Sequence, residues 1–218
     1  PNGEAGPIYA RDVYAFAKLV EVLAESVPTS AAGADLNDFS DRVSQQVLDG
    51  QGPHERPTMS QLLTDRFFTQ SSLVKCKVAI ESNILKSPEE KVLLASELLR
   101  WMRKLTPEVI GKQLTVQLLN RTMFADPTYS ELYAEFLTAR SEGSTKGILP
   151  LDMLKKYVVP TLLTLLEDRD VGVRVALLKA LPRYYSAIDP IVLSDVVLPE
   201  LRVGLEDANN TLVEATLR

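Results

Sequence analysis

The sequence holds one cysteine, Cys76, and one histidine, His54, and none of its apolar runs approaches the roughly 20 residues that a membrane span needs. A lone cysteine cannot form an internal disulfide, which fits a reducing compartment. A Cys/His zinc site needs several such ligands and is excluded within the chain. Ser-His-Asp catalysis would have to run through His54, and no other feature supports it. An excess of positive charge is also missing. Residues 1–70 carry 5 basic and 10 acidic side chains, and residues 71–218 carry 19 of each. Neither part is a cationic surface that would neutralise phosphates, so nucleic acid is not expected as a direct partner. Clusters such as Lys75/Lys77, Arg100/Arg103/Lys104 and Lys155/Lys156 read as solvated helix faces. No catalytic constellation, metal site or cofactor is expected. The chain opens on Pro1 and shows no signal peptide, so it is read as a fragment.

What is present is helical patterning on a chain of 218 residues that is 45% hydrophobic, enough for a real core. The composition shifts near residue 70. Before it, residues 28–38 and 49–58 are small, polar and rich in turn formers, and both read as connections. After it, residues 140–150 are the one flexible loop expected. Four helix starts use the same device: Ser87-Pro88-Glu89-Glu90, Thr106-Pro107-Glu108, Asp126-Pro127 and Asp189-Pro190. In each, a side-chain oxygen accepts from an orphan N–H, and proline sits where no N–H is needed. Leu94, Leu98, Trp101 and Leu105 share one helical face, with Ala95, Leu99 and Met102 beside it. Leu151, Leu154, Val158, Leu162 and Leu165 form another. Trp101 is read as core.

Residues 158–178 and 197–217 repeat each other at a shift of 39. Pro160 falls on Pro199, Leu166-Glu167-Asp168 on Leu205-Glu206-Asp207, and Ala176 on Ala215. A weaker third copy is expected at 114–138. A helical hairpin of this length cannot bury both faces alone, so neighbours must stack on it. The pattern resembles HEAT repeats, in which a turn aspartate is followed by a Val-Arg pair opening the second helix. Asp168 and Val173-Arg174 match that pattern, and Val213 departs from it in the second copy. The resemblance implies a structural ladder of aspartate and arginine along the stack, built here on Asp168 and Arg174.

Two strings near the start carry a second resemblance. Asp12-Val13-Tyr14-Ala15-Phe16-Ala17 looks like the opening of the central kinase helix, with Ala17 in place of the usual glycine. Arg56-Pro57, then Leu62-Leu63 and Phe67-Phe68, look like the end of a protein-kinase C-lobe. The resemblance implies structural roles for Asp12 and Arg56. No glycine-rich loop, strand lysine, His-Arg-Asp or Asp-Phe-Gly motif occurs, and those are the parts that position ATP and magnesium. A kinase tail running into HEAT-like repeats resembles the Scyl (Scy-like) pseudokinases. Ser87 to Lys91, Leu118-Leu119-Asn120, Phe124 to Pro127, Val159-Pro160 and Val197-Leu198-Pro199 carry the likeness.

The expected fold is all-α: residues 1–70 as the helical end of a kinase-like (pseudokinase) C-lobe, and residues 71–218 as a HEAT-type α-solenoid. The resemblance implies a non-catalytic scaffold in intracellular membrane traffic, cytoplasmic and Golgi-associated. Its partners would be coat, trafficking or cytoskeletal-linker proteins, with peripheral membrane association open. The expected partner face is Arg174, Lys179 and Arg183. Two alternatives stay open: an active kinase with a HEAT tail that positions substrates, and a HEAT protein with no kinase part.

Overall fold

Apolar residues spaced three and four apart dictate helices, and the computed structural model of the protein is all-α, with no strand among its described residues. The structure describes residues 7–27, 31–49, 52–141, 143 and 146–217. Contacts divide the chain into two units, Pro1–Val74 and Lys75–Arg218.

In the first unit, helices α1 (Tyr9–Ser26) and α2 (Ala31–Val47) pack on each other. Val13, Ala17 and Val20 on α1 meet Phe39, Val43 and Val47 on α2, with Leu62 closing the core. Composition predicts a connection over 28–38, but residues 31–38 belong to α2, and residues 28–30 lie outside the described residues. The helix is set by Leu36, Phe39, Val43 and Val47 at helical spacing, which outweighs the weak propensity of the polar residues before them. The second expected connection is turn and extended chain at residues 52–58, where His54 is exposed; Gly50 and Gln51 lie outside the described residues.

Two single-turn helices complete this unit. Thr58 and Gln61 form a reciprocal capping box at α3 (Met59–Leu62), and Asp65 caps α4 (Arg66–Thr69) by accepting from the Phe67 N–H. Phe67 stacks on Phe39 at 4.6 Å, and Phe68 meets both rings edge-on at 5.2 Å. Arg42 grips Asp65 as a fork, Nε to Oδ2 at 2.8 Å and Nη2 to Oδ1 at 2.7 Å. These bonds hold the Asp65 carboxyl below its ordinary range, against partial burial.

The second unit begins within α5 (Ser72–Glu81) and continues through a 3₁₀ turn at Ser82–Leu85 into α6 (Pro88–Met102) and α7 (Pro107–Leu118). After α7 the chain makes a single turn, α8 (Arg121–Phe124), and then α9 (Ser130–Phe136). All four expected caps form. Ser87 and Glu90 make a capping box, and Thr106, Asp126 and Asp189 each accept from a first-turn N–H. Leu94, Ala95, Leu98 and Met102 are buried, whereas Leu99, Trp101 and Leu105 are half-buried at the margin of that face. The buried hydroxyl of Tyr129 donates to the side-chain Oδ1 of Asn83, and that of Tyr133 donates to the Leu118 backbone carbonyl at 2.6 Å. Residues after α9 are loop, as expected at 140–150, with residues 142, 144 and 145 outside the described set. Gly147 has φ +81°, and a Cβ there would lie 2.6 Å from the Thr138 carbonyl, so only glycine fits.

Two hairpins follow, and they repeat down to their irregularities. The first helix of each is α-helical for one turn (α10, Leu151–Met153; α13, Pro190–Val192). It then widens into a π turn (Leu154–Val158; Leu193–Val197) and returns to α (α11, Val159–Leu166; α14, Leu198–Leu205). Val159 N–H donates to the Leu154 carbonyl and Leu198 N–H to that of Leu193, each immediately before a proline, Pro160 or Pro199. Proline has no N–H and its ring crowds the carbonyl four residues back; the widened turn makes room for it. In the expected Leu151–Leu165 stripe, Leu154, Val158 and Leu162 are buried, while Leu151 is exposed and Leu165 half-buried.

The second helices are α12 (Val171–Tyr184) and α15 (Asn210–Leu217). The π turn at 154–158 packs on α7, and α12 packs on α8 and α9 on one side and on α15 on the other, a solenoid-like succession. Residues 114–138, where a weaker third copy is expected, hold the end of α7, the single turn α8 and, after the Asp126-Pro127 start, α9.

Candidate functional site

The α12 helix carries the residues singled out by sequence. It starts at Asp170, which accepts from the Val173 N–H at 3.0 Å, and Asp168 braces that cap by accepting from the Asp170 N–H at 2.9 Å. Val173, Arg174, Leu177, Ala180 and Tyr184 are its buried residues.

Arg174 is 8% exposed, rare for a guanidinium. It lies between two carboxylates of the next hairpin, 3.6 Å from Glu200 Oε2 and 3.5 Å from Asp207 Oδ2. Glu200 is also 3.6 Å from Arg169. Asp168 receives Arg121 Nε at 2.6 Å from the start of α8. Thus each turn aspartate takes an arginine from an earlier helix. No ion pair joins Asp168 to Arg174 directly among the described residues. Sequence reading missed Arg121, Glu200 and Asp207 as partners, although the 39-residue shift maps Asp168 onto Asp207.

The expected partner face of Arg174, Lys179 and Arg183 does not exist as one face. Nine residues at about 100° each place Arg183 half a revolution from Arg174. Arg174 is buried against the next hairpin, whereas Lys179 and Arg183 are exposed and border a groove on the other side of α12.

That groove, of about 440 Å³, runs between α12 and the α8–α9 segment. Its walls are mainly small or apolar: Phe124, Ala125, Tyr133 and Ala134 opposite Val175, Ala176 and Ala180. Gly172 belongs to it as well, and a Cβ there would stand 3.5 Å from that of Ala125. The carboxylate in its lining, Asp126, is engaged by Lys91 at 2.8 Å and by the Thr128 N–H and hydroxyl. Lys179 and Arg183 have no ion-pair partner among the described residues. Sequence reading had no means to see the groove, because its small residues come from two segments some 50 positions apart in sequence.

In the first unit, Asp12 is exposed in the first turn of α1 and takes no hydrogen bond among the described residues. Arg56 is half-buried; its Nη1 donates to the Ala10 carbonyl at 3.1 Å, and its guanidinium lies 4.9 Å from the centre of the Tyr14 ring. Its buried Nε has no partner among the described residues. An open hollow beside it is lined by Tyr9, Gln46, His54 and Thr58. No group of metal-ligating side chains gathers among the described residues, and no described helix is long and apolar enough to cross a membrane.

No family model matches the sequence, and no solved structure matches it. A curated mouse protein does match, described as "Protein-associating with the carboxyl-terminal domain of ezrin". The chain is its distant homologue. Identity is 30% over 214 residues, covering 96% of this chain and 29% of the mouse protein. The chain therefore spans less than a third of that relative's length. The relation extends over most of the chain and supports the Scy-like resemblance.

Proposed function

We propose that this chain is part of a non-catalytic pseudokinase–HEAT scaffold that mediates protein–protein interactions in intracellular membrane traffic. Residues 1–70 are the C-terminal part of the kinase-like domain, and residues 71–218 are a HEAT-type solenoid that displays the partner surface. The protein is cytoplasmic and Golgi-associated, and its partners include coat, trafficking or cytoskeletal-linker proteins. The observation that carries this reading is the stack itself. Hairpins locked by aspartate–arginine pairs present a groove with no catalytic grouping in it, which suits binding and gives no handle for chemistry. The relative's association with ezrin points the same way.

Helix α1 supports the pseudokinase part. One side packs on α2, yet the other carries Leu19 and Val22 at 55% and 60% exposure, with Ile8 exposed just before the first turn. A helix apolar on both sides belongs between two layers, as the central helix of a kinase lobe does. The test is made on the full-length protein. Bound proteins should cross-link to residues 75–218, and incubation with ATP and magnesium should transfer no phosphate. Transfer lost on changing the protein's own residues would favour an active kinase with a positioning tail.

A further inference from the structure

The groove beside α12 combines two properties that rarely coincide by accident on a solvated helix. Its floor is apolar and kept open by small side chains, Ala125, Ala134, Gly172, Ala176 and Ala180, so methyl-sized and larger groups can enter. Among its lining residues the charges without an ion-pair partner are positive, with the Asp170 carboxylate standing beside Gly172 at one end. Asp126 is neutralised by Lys91, whereas Lys179 and Arg183 stand one turn apart on the rim without an acidic partner among the described residues. Arg103, Lys112 and Arg121 of the same unit pair with Glu135, Glu108 and Asp168, while Lys86, Lys104 and Lys155, like Lys179 and Arg183, have no ion-pair partner among the described residues.

We propose that this groove is the docking site for an acidic amphipathic peptide segment of a partner protein. One or two of its apolar side chains fill the floor between Phe124, Tyr133 and Ala176, and its carboxylates meet Lys179 and Arg183. The inference rests on the scaffold reading and narrows it to a place and a ligand chemistry. Charge complementarity selects the occupant: a basic or neutral peptide would leave both cations facing no counter-charge, and a purely hydrophilic acidic peptide would leave the floor wet.

The test selects peptides from a random linear phage-displayed library on the 218-residue chain, then measures the recovered peptides by fluorescence anisotropy. Recovered sequences should place aspartate or glutamate beside leucine-like or aromatic residues. Binding should weaken about tenfold or more in K179E/R183E and in the groove-filling Ala176→Leu, and should fall with added salt. Both cations are exposed, and circular dichroism checks that the variants stay folded. Recovery of basic or neutral peptides, no recovery at all, or affinities unmoved by K179E/R183E would overturn the proposal. If full-length protein still cross-links its partners through other surfaces of residues 75–218, only the groove assignment fails. If it cross-links none, the scaffold reading fails with it.

Discussion

Arg174 reaches 3.5 Å across to Asp207 of the following hairpin, and Asp207 stands 39 positions after Asp168, which takes Arg121 of α8 at 2.6 Å. The turn aspartates thus join successive repeats while each also accepts an N–H within its own turn, from Asp170 and from Asn209. The consequence is energetic, because Arg174 is almost wholly withdrawn from water and depends on Glu200 and Asp207 for compensation.

Removing one member of such a set strands the others. Asp207→Ala or Glu200→Ala should each destabilise the chain, and Arg174→Ala should do so by on the order of 3 kcal/mol. Arg202 offers the contrast: its side chain is 84% exposed, and its contact to Glu206 is 3.7 Å within one helix. Arg202→Ala should cost no more than about 1 kcal/mol. Thermal melts compare the two; equal midpoints would dismiss the joint.

Gly111 lies against the Tyr157 ring, and a Cβ built there would come within 2.3 Å of it. Alanine is the better helix former by about 1 kcal/mol, so propensity alone predicts a gain from Gly111→Ala. Overpacking against a ring held by its hydroxyl bond to Glu108 predicts a net loss of roughly 1–3 kcal/mol. A raised melting temperature would mean that α7 and the π turn at 154–158 do not pack as described.

Asp65 supplies a pH dependence of known sign. Its carboxyl is held low by the Arg42 fork, so the stabilisation is complete above its unfolded value of about 4 and is lost as pH falls through the lower folded value. Melting of the chain, followed by circular dichroism in steps below about pH 5, should fall less steeply in Asp65→Asn than in the unaltered chain. Trp101 belongs to the second unit, so its fluorescence should be insensitive to the same substitution if the two units unfold separately. Identical acid profiles by circular dichroism would show that the fork carries no such linkage.

Burial pushes the Cys76 thiol up to about 11, and the residue is fully withdrawn from solvent. An aromatic disulfide reagent at neutral pH should therefore react only at the rate at which α5 opens, and stoichiometrically once the chain is unfolded in denaturant. Rapid labelling of the native chain would place Cys76 at the surface.

Much of the architecture is legible in the sequence. Caps are local, so Ser87, Thr106, Asp126 and Asp189 could be read from neighbouring residues alone. The 39-residue shift exposed the repeat because Pro160 and Pro199 are rare residues in a helix. What escaped notice depends on long-range geometry. The start of α2 is set by packing of Phe39 and Val43 on α1, which no local composition reveals. Arg174 looked like a neighbour of Lys179 and Arg183 along the chain, yet five residues turn a helix well past the same face. The groove joins α8–α9 to α12, and only the fold brings Ala125 opposite Gly172.

If residues 75–218 bind partner proteins, the groove beside α12 is the proposed point of contact. A photo-crosslinking amino acid placed at Ser130, in the groove, and separately at Arg202, outside it, tests this in the full-length protein inside cells. The account predicts a discrete adduct from position 130 that disappears in K179E/R183E, and none from position 202. No adduct at 130, or the same adducts from both positions, would contradict it.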